Sequence, residues 1–183
     1  PRERRSIAAL RSLLGQADAG GIGARLERWQ KGGPLGWVLD NDEDAISLDT
    51  RFAGFDMTHV LDHEEVRTPA MLYLFHRITE RVDGRRLVLD IDEFWKALGD
   101  PAFIDLAQDG LKTWRKQNAF MIFGTQSPAD ALRSPIAHAI LEQCATKIFL
   151  PNAHGQARDY IEGFGLTQEE FRLVREELTP ESH

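Results

Sequence analysis

The alternation of helical and strand-like segments after Thr68 constrains the fold more than any other feature of this sequence. Two apolar runs, 87–91 and 119–123, flank a segment at 101–116 whose apolar residues recur at helical spacing. Near-continuous apolar strands joined by helices of ten or more residues are typical of parallel β-α-β units. The sequence therefore predicts an α/β fold with a mostly parallel sheet flanked by helices. The same patterns predict a third strand at 147–150 and further helices at about 69–82, 129–144, 155–162 and 168–178.

The first third of the chain has a less regular pattern. Apolar residues at helical spacing predict a helix at 5–14 and a second short helix that contains Ile22, Leu26 and Trp29. Short β-prone stretches within 37–57, separated by acidic turns, predict small strands or a hairpin. We interpret residues 1–183 as a single domain fragment, in which a helical and short-strand subregion (1–67) precedes a β-α-β core (68–183).

Composition limits the kind of protein that can carry this core. The 183 residues have a formal net charge of -7 and a pI near 5.4, which argues against a broad, non-specific nucleic-acid surface but leaves a local basic groove possible. The single cysteine, Cys144, can form no intramolecular disulfide. No apolar run approaches the roughly 20 residues of a membrane-spanning helix. Because the chain begins with Pro1 and not Met, we expect it to be a piece of something longer.

Two adjacent carboxylates follow the first predicted strand. Asp92 and Glu93 must find water, a metal or a partner where the apolar run ends. In P-loop nucleotide hydrolases this arrangement, called Walker B, holds magnesium through the first carboxylate, and the second often orients the attacking water. The alternative is a helix cap, in which Asp92 caps a helix that begins near Phe94. Asp90, inside the strand, points to the same face as Asp92, and a buried Asp needs a hydrogen-bond donor. We expect either a basic group near Asp90 or a strand that emerges into the site one residue pair early.

Gln126 follows the second predicted strand. Because ligands gather at the carboxyl ends of parallel strands, we expect Gln126 to lie beside Asp92 and Glu93. The alternative is a turn residue that only satisfies backbone groups. Arg115 and Lys116 precede the same strand, and they are either solvated helix-end charges or candidates for an arginine finger that acts across a subunit interface. We interpret all six histidines as structural or exposed.

Several longer strings of residues resemble a known family. In order along nearly the whole chain, they are Gly54-Phe55-Asp56-Met57-Thr58, Tyr73-Leu74-Phe75-His76-Arg77, Asp92-Glu93-Phe94-Trp95-Lys96, Leu111-Lys112-Thr113-Trp114-Arg115-Lys116-Gln117-Asn118, Thr125-Gln126-Ser127 and Thr146-Lys147-Ile148-Phe149-Leu150-Pro151-Asn152. This set resembles the carboxyl-terminal motor domain of the conjugative-transfer ATPases of type IV secretion systems, the family of the fourth VirB protein, TrbE and CagE.

The resemblance implies a RecA-like P-loop NTPase core of the FtsK and HerA branch. It implies an ATP- and Mg²⁺-dependent motor at the cytoplasmic face of the bacterial inner membrane, which works with other secretion components, as a hexamer, in pilus assembly and the export of DNA or protein. In this chain Asp92 would hold Mg²⁺ through water, Glu93 would polarise the attacking water, and Gln126 would sense the γ-phosphate. Arg115 would be the finger, with Lys116 as its rival. Whether DNA contacts this domain is left open.

One element of the family is absent from these 183 residues. The sequence contains no G-x-x-x-x-G-K-[ST], so the Walker A loop that cradles phosphates is missing and the P-loop core is incomplete at its N-terminus. We therefore expect negligible ATPase activity from the chain alone. Two other functions stay open. One is a docking module, in which the acidic region 40–56 and the terminal helices bind secretion-channel partners. The other is a magnesium phosphohydrolase that uses Asp90 and Asp92.

Overall fold

The computed structural model describes residues 6–15 and 18–178, and it divides the chain into two units, Pro1–Ile78 and Thr79–His183. The helices described in the first unit are Ile7–Ser12 (α1), Ile22–Leu26 (α2), Gly36–Leu39 (α3), Thr58–Asp62 (α4) and Glu64–Thr79 (α5), whose last residue belongs to the second unit. A 3₁₀ turn, Glu27–Trp29, extends α2. The predicted helix at 5–14 is confirmed as α1, and Arg5 lies outside the described residues.

The predicted strands between residues 37 and 57 are wrong. Gly36–Leu39 is helical, and residues 40–57 contain no strand in the structure. Side chains in this acidic stretch satisfy backbone groups that a ladder would use, since the Asp44 carboxylate accepts the Ile46 N–H at 3.0 Å. The buried Asp40 carboxylate likewise accepts the backbone N–H groups of Ile7 and Lys31, at 2.9 and 2.7 Å. Local hydrogen bonding therefore replaces strand pairing here.

The sheet lies in the second unit. Leu87–Ile91 (β1) pairs in parallel with Ala119–Phe123 (β2), in a register that places Leu87 opposite Ala119 and Ile91 opposite Phe123. The connection between them contains the 3₁₀ segment Phe94–Gly99, the helix Pro101–Thr113 (α6) and the 3₁₀ turn Trp114–Gln117. Both predicted strands, the parallel pairing and the α/β class are confirmed.

Helix α6 forms where local signals agree. Pro101 occupies its first turn, and the buried Asp100 carboxylate caps the helix by accepting the Ala102 N–H at 2.9 Å. Phe103 and Ala107 are fully buried on one face of α6, which contacts β2. The opposite face of the sheet is open, with Val88, Phe120 and Ile122 about half exposed. The prediction that β1 is buried is therefore wrong for this face, and Asp90, which shares it, is exposed and needs no protein donor.

The last third of the chain differs from prediction at two places. The predicted helix at 129–144 is interrupted, because Pro135 forces Ser134 into an extended conformation (ψ 151°) and separates Pro128–Arg133 (α7) from Ala137–Gln143 (α8). The predicted strand at 147–150 is irregular. Its Phe149 packs against the Tyr160 ring, with centroids 5.5 Å apart, so this segment is held by the terminal helices and not by the sheet.

The two predicted terminal helices are present as shorter pieces. They comprise a π-helical turn at Arg158–Gly163, the helix Gln168–Arg172 (α9) and a second π-helical turn at Leu173–Glu177. Thr167 and Glu170 form a capping box at the start of α9. Tyr160, Phe171 and Val174 form a small buried cluster between these pieces. Among the helices of residues 6–15 and 18–178, none is long and apolar enough to cross a membrane.

Candidate active site at the carboxyl edge of the sheet

Backbone pairing continues past the ends of the two strands. The Gly124 N–H donates to the Ile91 carbonyl at 2.9 Å, and the Phe94 N–H donates to the Gly124 carbonyl at 3.2 Å. The rings of Phe94 and Phe123 pack beneath this junction, with centroids 5.2 Å apart. The residues that follow β1 are thereby held beside those that follow β2, at the carboxyl edge of the sheet.

Glu93 has an unusual backbone conformation at this edge. Its φ and ψ of 52° and 38° are left-handed, a region that disfavours residues other than glycine and asparagine. The conformation places the Glu93 side chain, which is 22% exposed, between two donors. The Gln126 amide Nε2 donates to Glu93 Oε1, and Lys96 Nζ lies 3.4 Å from Glu93 Oε2. Both carboxylate oxygens are therefore engaged.

Asp92 is exposed and holds the turn through its side chain. Its Oδ1 accepts the N–H of Glu93 at 2.9 Å, and no partner of Oδ2 is found among the described residues. Gly124 allows this arrangement, since a Cβ at position 124 would lie only 2.9 Å from Asp92 Oδ1. The residue after β2 must therefore be small for Asp92 to keep its position.

The donor set fits magnesium better than a metal held by protein ligands alone. Within residues 6–15 and 18–178, no group of three or more His, Cys, Asp or Glu side chains could enclose a metal ion. Mg²⁺ is usually bound through one or two carboxylates and completes its octahedron with water and substrate phosphates. The exposed Asp92 carboxylate, with one oxygen available, fits that mode of binding.

Gln126 is presented by a small turn after β2. The Thr125 hydroxyl donates to the Ser127 carbonyl and accepts the Ser127 N–H, both at 3.3 Å. This leaves Gln126 exposed at the tip, with its amide directed to Glu93. Asp92, Glu93 and Gln126 are thus brought together, whereas the sequence reasoning assigned no role to Lys96. The signal for Lys96 was its spacing of three residues from Glu93, which places the two side chains on the same side of a helical turn.

Arg115 and Lys116 lie elsewhere. Both are exposed in the 3₁₀ turn before β2, and neither has a partner among the residues described. Gln126 follows the other end of β2, and five strand residues separate the two ends by about 13 Å. Arg115 therefore does not belong to the cluster formed by Asp92, Glu93 and Gln126 in the same chain.

The edge is open to solvent. Cavities of about 260 and 650 Å³ occur in the second and first units respectively, and neither is lined by Asp92, Glu93 or Gln126. The cluster thus presents a carboxylate that can hold a cation, a second carboxylate held by two donors, and an exposed amide. Such a set can orient a water molecule next to a metal-bound phosphate.

The chain matches a family model and several curated proteins. The family model described as the TraG P-loop domain matches residues 17–177. The chain is 54% identical over 182 residues to the type IV secretion system protein virB4 of Bartonella henselae, and the match covers 100% of the chain and 23% of that protein. It is 45% identical over 177 residues to protein virB4 of Rhizobium radiobacter, which covers 97% of the chain and 22% of that relative.

A more distant relative has a different name. The chain is 40% identical over 166 residues to the type IV secretion system protein PtlC of Bordetella pertussis, a match that covers 87% of the chain and 20% of PtlC. The chain thus spans less than a quarter of the length of these curated relatives. The resemblance seen in the sequence strings is confirmed, and the chain belongs to the TraG P-loop domain family.

Proposed function

We propose that this chain supplies the hydrolytic residues of an ATPase motor that energises type IV secretion. The observation that carries the proposal is the contact between Glu93 and Gln126 beside Asp92, at the edge of a parallel sheet where ligands bind in such folds. The relatives are type IV secretion system proteins, which supports a motor that works with other components of that machinery.

Each residue of the cluster has a proposed task. Asp92 holds Mg²⁺, through water, by its unpaired Oδ2. The ion, when bound, neutralises charge on the phosphates of ATP. Glu93 orients and polarises the attacking water with an oxygen now bonded to Gln126 or Lys96. Gln126 turns its amide toward the γ-phosphate oxygen, so nucleotide binding and release of Glu93 occur together.

Arg115 is proposed to act on a neighbouring subunit. Its position before β2, at the far end from Gln126, is compatible with an arginine finger only in trans. We therefore propose a ring, of six subunits as expected for the FtsK and HerA branch, at the cytoplasmic face of the inner membrane. Pilus assembly and the export of DNA or protein are its proposed outputs, and DNA contact by this domain is not part of the proposal.

The first test replaces Glu93 in the full-length protein. Glu93→Gln should reduce ATP turnover by about 10²-fold to 10⁴-fold, because the general base is lost, while affinity for ATP is kept. Asp90→Asn is the matched control, since Asp90 is an exposed carboxylate on β1, the strand that Glu93 follows, and it should retain full turnover. Equal turnover by wild type and Glu93→Gln would refute the assignment.

A mixing experiment tests the position of Arg115. Subunits carrying Arg115→Ala and subunits carrying Glu93→Gln should each be inactive, and mixing them should restore part of the activity at interfaces that combine an intact Arg115 with an intact Glu93. Lys116→Ala, the neighbouring exposed cation, serves as the control and should remain active. Absence of recovery in mixed rings would contradict a role in trans.

The 183-residue chain by itself should turn over ATP negligibly, because it contains no G-x-x-x-x-G-K-[ST] loop to bind the phosphates. The measurement is phosphate release by the purified chain with Mg²⁺ and ATP. Steady release that Glu93→Gln abolishes would contradict this expectation.

A further inference from the structure

The first unit contains a large groove that the proposed ATPase does not use. Its volume is about 650 Å³, within the range of about 300–1,000 Å³ common for ligand sites. Helix α3, the irregular segment after it, and helices α4 and α5 form its walls, all within the first unit. Asp92, Glu93 and Gln126 belong to the second unit and do not line it.

The groove combines an apolar floor with exposed aromatic side chains. Val66 and Leu74 of α5 are buried beneath it. On its walls Trp37 is 64% exposed and Phe55 is 40% exposed. Large aromatic side chains that remain accessible around a concave apolar surface are typical of protein interaction sites, where Trp and Tyr contribute much of the binding energy.

The charges that line the groove have a single sign. The described lining includes the carboxylates of Glu43, Asp44 and Asp56, and it contains no Lys, Arg or His. Asp44 forms an ion pair with Arg77, which neutralises it. Glu43 is exposed, with no ion pair among the described residues, and Asp56 accepts the Thr58 N–H at 3.0 Å. That hydrogen bond lowers the pKa of Asp56, which further favours its charged form.

We propose that this groove docks a basic amphipathic peptide segment of a partner protein. An apolar side chain of the segment would enter between Trp37 and Phe55 over the floor, and Lys or Arg side chains would pair with Glu43 and Asp56. The carboxylates disfavour phosphate-bearing ligands and anionic lipid, since like charges repel. The docking segment is thus positively charged, whereas the nucleotide proposed for the sheet edge is negatively charged.

The test uses the full 183-residue chain and three fluorescent 14-residue peptides. The first has Leu at positions spaced i, i+3, i+4 and i+7 with Lys elsewhere; the second replaces Lys with Glu; the third replaces Leu with Ser. Fluorescence anisotropy should show saturable binding of the Leu–Lys peptide alone. The proposal would be overturned if the Leu–Glu peptide or the peptide with Ser in place of Leu bound as tightly as the Leu–Lys peptide. It would also be overturned if the chain bound phosphatidylserine vesicles in preference to the Leu–Lys peptide.

Variants locate the binding site. Trp37→Ala and the double variant Glu43→Gln with Asp56→Asn should each weaken binding of the Leu–Lys peptide about tenfold. Phe52→Ala and Asp62→Asn are matched controls, because both residues are exposed and neither lines the groove. Controls that weaken binding as much as the groove variants would overturn the proposal. If Trp37→Ala unfolds the chain, the double variant of exposed carboxylates still decides the question.

Discussion

The left-handed conformation of Glu93 predicts an unusual response to substitution by glycine. The backbone at φ 52° costs a residue with a Cβ roughly 1–2 kcal/mol relative to glycine. Glu93→Gly and Glu93→Ala both remove the contacts with Gln126 and Lys96. The difference between their free energies of unfolding therefore reports the cost of the left-handed backbone conformation. We expect Glu93→Gly to be more stable than Glu93→Ala by about 1 kcal/mol.

A second pair of variants, at Lys112, serves as the reference, because there the Ala variant should be more stable than the Gly variant. Lys112 lies in α6 and is exposed, where glycine is a poor helix former. Lys112→Gly should be less stable than Lys112→Ala by about 1 kcal/mol. The free energy of unfolding is measured by urea titration monitored by tryptophan fluorescence. The dependence of this free energy on urea concentration, the m-value, should be equal for the four variants, so that a shift in midpoint reports stability alone. If Ala is favoured over Gly at position 93 as it is at 112, the argument for a strained Glu93 is refuted.

The result bears on how the site works. A residue held in a sparsely populated conformation needs surrounding structure to keep it there, and such residues cluster at functional sites. At Glu93 the surrounding structure is the bond from its own N–H to Asp92 and the pairing of Phe94 with Gly124. The conformation therefore connects the carboxylate proposed for metal binding to the one proposed for water activation.

Phe103, Gly124 and Asp83, all in the second unit, allow three more tests. Phe103→Ala should lower the free energy of unfolding by about 3–5 kcal/mol in a urea titration, because this ring is 0% exposed in the core. Gly124→Ala should displace the Asp92 carboxylate and weaken Mg²⁺-dependent ATP binding by the full-length protein, as measured by calorimetry, while Mg²⁺-free binding is unchanged. The Arg85 guanidinium and its backbone N–H lower the pKa of Asp83 to about 2, so this carboxylate stabilises the fold above about pH 4 and loses that contribution as the pH falls toward 2. Carbon-detected NMR of Asp83 gives its titration midpoint.

Each of these has a matched control. Phe52→Ala, at a ring that is 88% exposed, should change stability by less than about 0.5 kcal/mol, and a loss equal to that of Phe103→Ala would contradict the core assignment. Gly54→Ala, far from Asp92 in sequence, should leave ATP binding intact, since its added Cβ would meet only the Phe52 ring, at an ordinary contact distance of 3.9 Å. Arg85→Gln should return the Asp83 midpoint toward 3.8, and an unchanged midpoint would exclude Arg85 as the cause.

The sequence predicted the elements whose signals are local. Strands β1 and β2 are apolar runs bounded by turns, and α6 has its cap, its proline and its buried face in one stretch, so no distant contact is needed to identify them. The segment 147–150 has a composition typical of a strand, but its Phe149 packs against the rings of Tyr160 and Phe164 instead. Composition cannot distinguish these outcomes because strand pairing depends on which edge is available.

The sequence predicted which residues meet at the candidate site, but not all of their contacts. The rule that carboxyl ends of parallel strands share an edge places Gln126 near Glu93. It does not specify that Lys96 would engage the second oxygen, because this depends on the 3₁₀ turn that follows a left-handed residue. The sequence places Arg115 before β2 and Gln126 after it, but it does not specify which subunit's site Arg115 faces, because that depends on contacts between subunits.

The hydrogen bond from Gln126 to Glu93 also determines how much free energy is needed to turn the Gln126 amide toward a ligand. A ligand that offers an acceptor to Gln126 exchanges one exposed hydrogen bond for another, and such an exchange has a net free energy close to zero. Rotation of an exposed side chain takes picoseconds to nanoseconds and requires no movement of the sheet. The cluster can therefore respond to an arriving anion on a timescale far shorter than that of any rearrangement between subunits.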